Sequence, residues 1–214
     1  MLSVSDGWLG DSAGRLYSLD ALGYHEVASP TTAAITDLDA TSPADAWATT
    51  ASGQVLRWDG AVWRVAAVLG DKLVSVSALS PAEAWVVGYP GVVMRWDGAT
   101  WRAMPPPEMT GRESPARVLA LSSSSVWLAT NWYWSPTGFG YAYEWTGELP
   151  GWQRRGQDFN GVRLTDLAAL SPNNVWLSGF TFDTRYGYGP WLSIWSGSGW
   201  RLIVASQSGG ARCT

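Results

Sequence analysis

Along most of the chain, apolar and polar residues alternate in short runs, and the runs recur. "ITDLDATS" from Ile35, "LVSVSALS" from Leu73, "RVLALSS" from Arg117 and "LTDLAALS" from Leu164 share one pattern, the mark of a strand with one face buried. Each passes through a Ser-Pro or Ser-rich turn into a run that carries a tryptophan. No window shows apolar residues at helical spacing, free of Gly and Pro, for three turns, so helices are nearly absent.

The runs belong to a longer repeat. "SPADAWATTASGQVLRWDGAVWRV" from Ser42 returns as "SPAEAWVVGYPGVVMRWDGATWRA" from Ser80, matching Trp47, Gly53, Trp58 and Trp63 to Trp85, Gly91, Trp96 and Trp101. Weaker copies keep Trp8, Gly14 and Tyr24, then Trp127, Trp145 and Trp152, then Trp176, Trp195 and Trp200. Within a unit, strand A is the alternating run and strand B carries the lead tryptophan. Strand C is "QVLRW" or "VVMRW", and strand D is "WRVAAV" or "WRLIVA". Ser-Pro makes the A-to-B turn, and Asp59-Gly60 and Asp97-Gly98 make C-to-D hairpins.

Four-stranded units of roughly 40 residues predict a β-propeller. The expected fold is all-β, a single domain of five four-stranded antiparallel blades, at approximately 1–34, 35–72, 73–115, 116–163 and 164–214. The spacing from Trp63 to Trp85 equals that from Trp200 off the C-terminus and in again at Met1 to Trp8. "GGARCT" followed by "MLSVS" also mimics "SPARVLALS". Closure by the N- and C-terminal segments completing one blade is therefore expected; the alternative is a fragment of a longer array.

Composition narrows the function classes. The net charge is -4 and Lys72 is the only lysine, which argues against a nucleic-acid surface. No apolar run approaches membrane-spanning length, and the start lacks a signal-peptide pattern. The expected compartment is extracellular or cell-surface if the chain belongs to a longer secreted protein, otherwise cytoplasmic. One histidine, His25, and one cysteine, Cys213, leave zinc and haem with almost no ligands. With no phosphate-cradling loop and no acidic calcium loop, no metal or cofactor is expected.

The Ser-Pro-x-acid-x-Trp, Gly, Trp-Asp-Gly-x-x-Trp pattern resembles bacterial Trp-rich β-propeller repeats, in the style of Asp-box and kelch-like repeats. The resemblance covers the chain and is strongest over 42–65 and 80–103. By blade count the chain is similar to five-bladed lectins of the tachylectin-2 type, which implies carbohydrate binding without a matching sugar motif.

Residues that recur in every unit read as packing. The tryptophans fill space between and within blades, Asp59 and Asp97 bond their own turns, and Arg57 and Arg95 lie over aromatic faces. The strand A residues Asp37, Asp39, Ser75, Arg117, Asp166 and Arg212 suggest ion pairs in a wet channel. No positioned nucleophile accompanies them, so no catalytic residue is assigned and no enzyme is expected; a glycoside hydrolase or sialidase-like enzyme, with Asp37, Asp39 and Asp166 brought together, is the third reading.

Function is sought where units differ. Between strands B and C, "GDSAG", "TASG" and "GYPG" in three units become "NWYWSPTGFGY" and "FTFDTRYGYGP" in the last two. Strand direction puts these two loops on one face with "MPPPEMTGRESP" and "QRRGQDFNG". The expected ligand-binding residues are Trp132, Tyr133, Trp134, Tyr141, Arg154, Phe182, Asp183, Arg185, Tyr186 and Tyr188. Aromatic planes beside charged groups stack sugar rings and also form protein hot spots. The expected partner is a glycan, with a protein ligand as the alternative. Two such loops can equally pack on each other or cover a contact between copies.

Overall fold

The alternating runs form strands where the sequence places them. The structure, a computed structural model, describes residues 7–109, 112–132, 138–147, 149–156, 158–183 and 187–205, with backbone alone at 182, 183, 187 and 205. It consists of antiparallel sheets in two units, Met1–Pro105 and Pro106–Thr214. Among the described residues no helix is long and apolar enough to cross a membrane.

The first unit holds three sheets. The first is β1 (Gly7–Gly10), β2 (Leu16–Asp20) and β3 (Gly23–Val27); the second is β4 (Ile35–Ser42), β5 (Asp45–Thr50), β6 (Gln54–Trp58) and β7 (Trp63–Val68). The third is β8 (Lys72–Ser80), β9 (Glu83–Tyr89), β10 (Val92–Trp96) and β11 (Trp101–Ala103). The second unit holds two sheets. One is β12 (Glu113–Ser122), β13 (Ser125–Trp132), β14 (Phe139–Trp145) and β15 (Trp152–Arg154), with β16 (Phe159–Asn160) also on β14. The other is β17 (Val162–Ser171), β18 (Asn174–Asp183), β19 (Gly187–Trp195) and β20 (Trp200–Ala205). The expected A, C and D strands are thus β4, β6, β7, β10 and β20. The terminal segments expected to complete a blade, with Arg212 and Cys213, lie outside the described residues.

The cores lie between successive sheets of a unit. Ala46, Ala48, Leu56 and Trp63 of the second sheet pack with Leu16 of the first, while Trp47 and Val55 pack with Leu73, Val76, Ala84 and Val86 of the third. The tryptophans follow the same offset. Trp8 meets Trp58 and Trp63 at ring separations of 4.8 and 5.0 Å, Trp47 meets Trp96 and Trp101 at 5.8 and 5.6 Å, and Trp127 meets Trp195 and Trp200 at 5.8 and 5.9 Å. Each triad joins the lead tryptophan of one sheet to the C and D tryptophans of the next, in edge or tilted arrangements that suit the ring quadrupoles.

Charged groups of the repeat brace these triads. The Arg57 guanidinium lies 4.5 Å from the Trp47 ring centroid and pairs with Asp45 at 2.9 Å. It also donates to the Pro81 carbonyl of the next sheet at 3.0 Å, so the cation spans the same seam as the indoles. The acid after the Ser-Pro turn therefore serves an arginine as well as a turn. Arg95 repeats the device with Glu83 at 2.9 Å, over Trp85. In the fourth sheet the charge reverses: Glu144 stands before the strand C tryptophan, accepts from Ser125 and pairs with Arg155 at 2.8 Å.

The first strands of adjacent sheets are tied by polar side chains. Asp37 accepts from Ser75 Oγ at 2.7 Å and from the Val76 N–H at 3.0 Å, and Asp39 accepts from the Ala78 N–H at 2.8 Å. Burial pushes the Asp39 carboxyl up, against the pull of the Ala78 and Ala40 N–H groups. In the second unit Arg117 pairs with Asp166 at 3.2 Å and donates to the Thr165 carbonyl. One expected ion pair thus forms, whereas Asp37 and Asp39 hold backbone and hydroxyl donors.

The Asp-Gly turns form as the sequence expects. Asp59 Oδ1 accepts from the Ala61 and Val62 N–H groups at 3.0 and 2.9 Å, and Asp97 Oδ1 from those of Ala99 and Thr100 at 3.0 and 2.8 Å. The bonds from Thr100 and Ala99, followed by the pairing with Arg102, hold the Asp97 carboxyl down to about 2 from its ordinary 3.8. Because the folded value is the lower one, the turn's contribution is full above the unfolded value and is lost as pH falls through the folded value. A carboxyl-carbon NMR titration is expected to place the Asp97 midpoint near 2; an ordinary midpoint would mean that these bonds are not made.

Candidate functional site

The described residues of the two aromatic insertions are mainly strand. The fifth sheet extends β18 to Asp183 and starts β19 at Gly187, pairing Phe180 with Pro190 and Phe182 with Tyr188. "FTFDTRYGYGP" is therefore largely a hairpin arm, where a loop is expected from length alone. Alternating Phe and Thr favour the extended chain. In the fourth sheet Asn131 and Trp132 still belong to β13, and β14 resumes at Phe139. Phe159 and Asn160 return from "QRRGQDFNG" to pair with Gly140 and Phe139.

Local bonds bring both insertions to one end of the second unit. The Asn131 side-chain amide donates to the Leu164 carbonyl and its oxygen accepts from the Leu164 N–H, both at 2.8 Å. The Gly161 N–H donates to the Gly138 carbonyl at 2.9 Å. β17 starts at this junction, and its Val162 pairs with Thr181 of the arm.

Cross-strand register places Glu113, Thr130, Trp132, Tyr141, Tyr143 and Arg154 on one face of the fourth sheet. Glu113 is buried, and its Oε2 accepts from Thr130 Oγ1 and the Tyr143 hydroxyl, each at 2.9 Å. Burial, then the Glu113 charge, drives the Tyr143 phenol well above its ordinary range. Tyr141 is also pushed up, by burial first and then by Asp158 and Glu113. The Arg154 guanidinium lies 4.5 Å from the Tyr141 ring centroid and pairs with Asp158. Trp132 and Phe139 meet edge to face at 5.1 Å, with the Arg112 guanidinium 5.7 Å from the Trp132 ring.

The expected binding residues that are described stand in different settings. Trp132 is half-buried on Phe139, Tyr141 is only 6% exposed beneath Arg154, and Tyr188 is 76% exposed on the arm. Phe182 and Asp183 belong to β18 by backbone, their side chains being outside the described residues. Tyr133, Trp134, Arg185 and Tyr186 also lie outside the described residues. Sequence reasoning passed over Glu113, Tyr143, Arg112 and Phe180. Tyr141 and Tyr143 bracket Ala142 on one strand, and two buried phenols in that spacing call for an acceptor.

No protein-family model matches the chain, and no curated protein matches it. Among solved structures it is similar to U3-55K, with a TM-score of 0.66 and 9% identity over 93% of this chain and 60% of that one. The GH74 xyloglucanase from Xanthomonas campestris gives a TM-score of 0.64 and 13% identity over 89% and 34%. YCF48 from Cyanidioschyzon merolae gives 0.56 and 20% over 85% and 60%. The chain thus spans about 60% of two of these proteins and 34% of the third. At these identities the likeness concerns fold: five antiparallel sheets in an all-β protein with β-propeller-like neighbours.

Proposed function

We propose that the chain is a five-bladed propeller of the Trp-rich repeat type, closed by its terminal segments, and a non-enzymatic module that binds carbohydrate. The ring is supported by one inter-sheet triad geometry recurring in both units and by the first sheet having three described strands where the others begin with a further one. An experimental structure with the sheets in an open row would exclude it.

The binding reading rests on one observation: the short turns of sibling sheets are replaced in the fourth and fifth by aromatic hairpins that share one end of their unit. There Trp132 lies beside Arg112 on the fourth sheet, and Phe180 and Tyr188 stand exposed on the arm of the fifth, aromatic and charged surface of the kind that stacks sugar rings and bonds their hydroxyls. Trp134, Tyr186 and Arg185, adjacent in sequence, complete the proposed surface. Burial and Glu113 raise the Tyr143 phenol, which does not suit that residue to a nucleophile's role. A protein-binding scaffold is the second reading, favoured by the 76% exposure of Tyr188 and 50% exposure of Phe180, which suits a hot spot.

Calorimetric titration with a panel of neutral and acidic oligosaccharides is expected to give saturable binding, weakened roughly ten-fold in Trp132→Ala, the loss of about one stacking contact. Absence of saturable heat across the panel overturns the carbohydrate reading.

A further inference from the structure

The hairpin arm of the fifth sheet has two unlike faces. Register sets Val162, Leu164, Gly179 and Trp191 on one side, and Val162, Leu164 and Trp191 are core residues. The other side carries Arg163, Phe180 and Pro190 in one row across β17, β18 and β19, with Tyr188 two residues from Pro190. Diagonal neighbours on such a face lie about 7 Å apart, within reach of aromatic side chains. Phe180 is 50% and Tyr188 76% exposed, and Arg163 and Pro190 are exposed as well.

Arg163 supplies the chemical distinction. Arg117, Arg154 and Arg155 of the same unit are each engaged by a carboxylate. Arg163, like Arg112 and Arg201, makes no ion pair among the described residues, and it is the one of the three whose row places it directly beside Phe180. A guanidinium next to a flat apolar face fits a ligand with a stackable ring and a planar anion on that ring, because a carboxylate takes two parallel N–H bonds from the arginine fork. With the chain acidic at a net charge of -4, general attraction of anions is absent and their recognition must be local.

We infer that this face is a subsite for a uronic-acid-bearing sugar chain, with Tyr188 and Phe180 as stacking surfaces and Arg163 as the carboxylate partner. The inference rests on the carbohydrate reading above and names its ligand class. Pro190 widens the apolar platform, and the ring carboxylate reaches across Phe180 to the guanidinium.

The test is calorimetry of the full chain at low ionic strength with tetrasaccharides of galacturonate, glucuronate and mannuronate and with their methyl esters, which keep the ring and remove the charge. For at least one series the free acid is expected to bind roughly ten-fold tighter than the ester, the size of one charge-assisted contact. Arg163→Gln is expected to erase that ratio by weakening the free acid far more than the ester. Tyr188→Ala is expected to weaken both forms. Equal binding of acid and ester, or a preference that survives Arg163→Gln, overturns the inference and leaves the carbohydrate reading standing. Arg163-dependent binding of a sulfated chain or an acidic peptide without uronate binding also overturns it. No binding by any sugar removes both readings. Arg163 and Tyr188 are exposed, so circular dichroism is expected to show both variants folded.

Discussion

Trp47→Ala is expected to lower the unfolding free energy by about 3–5 kcal/mol, the range for truncating a large buried aromatic. Trp47 is fully buried and touches two indoles of the next sheet, so its removal opens a void between sheets. Arg57 loses the ring beneath its guanidinium and keeps Asp45. Trp47→Phe keeps a ring and part of the volume and should recover about half of the loss. Urea unfolding with an unchanged slope is the measurement. A loss of less than about 1 kcal/mol, the size of an average substitution, would mean that the indole does not wedge the two sheets.

Gly53→Ala is expected to cost about 2–5 kcal/mol, the sum of a left-handed backbone and an overpacked contact. Gly53 has φ of +78° and turns between β5 and β6. A Cβ there collides with the backbone carbonyl of Gly70, which cannot swing away because the Leu69 N–H is bonded to the Gly53 carbonyl at 2.9 Å. Gly147→Ala separates the two contributions. Gly147 also has positive φ, +108°, but its added Cβ meets nothing within 4 Å, so that variant carries the backbone cost alone. Equal losses at the two positions would show that the approach of Gly70 is not tight.

Strands and turns were legible because each rests on local chemistry. Alternation in "ITDLDATS" names β4, and Asp97-Gly98 names a turn that its own carboxylate then closes. Repetition added Gly53, which aligns with Gly14 and Gly91 of the neighbouring units. What pattern did not give is which tryptophans meet. Trp47, Trp58 and Trp63 follow one another in a single unit, yet Trp47 finds its partners in Trp96 and Trp101, because stacking of successive sheets decides the neighbour. The candidate site was legible as a departure from the repeat and less so in its details. Extra length in "FTFDTRYGYGP" reads as a loop, but cross-strand bonds continue through Phe182 and Tyr188. Glu113 sits in a proline-rich connection that reads as irregular, and only the pairing of β12 with β13 brings it beneath Thr130 and Tyr143.

The offset of the triads also decides how such a chain can be divided. Within a unit, a cut at a sheet boundary leaves a lead indole at one severed edge and two orphaned indoles at the other, so a lone sheet is the wrong module to excise or graft. The smallest transplantable piece with a complete triad is a pair of consecutive sheets from one unit.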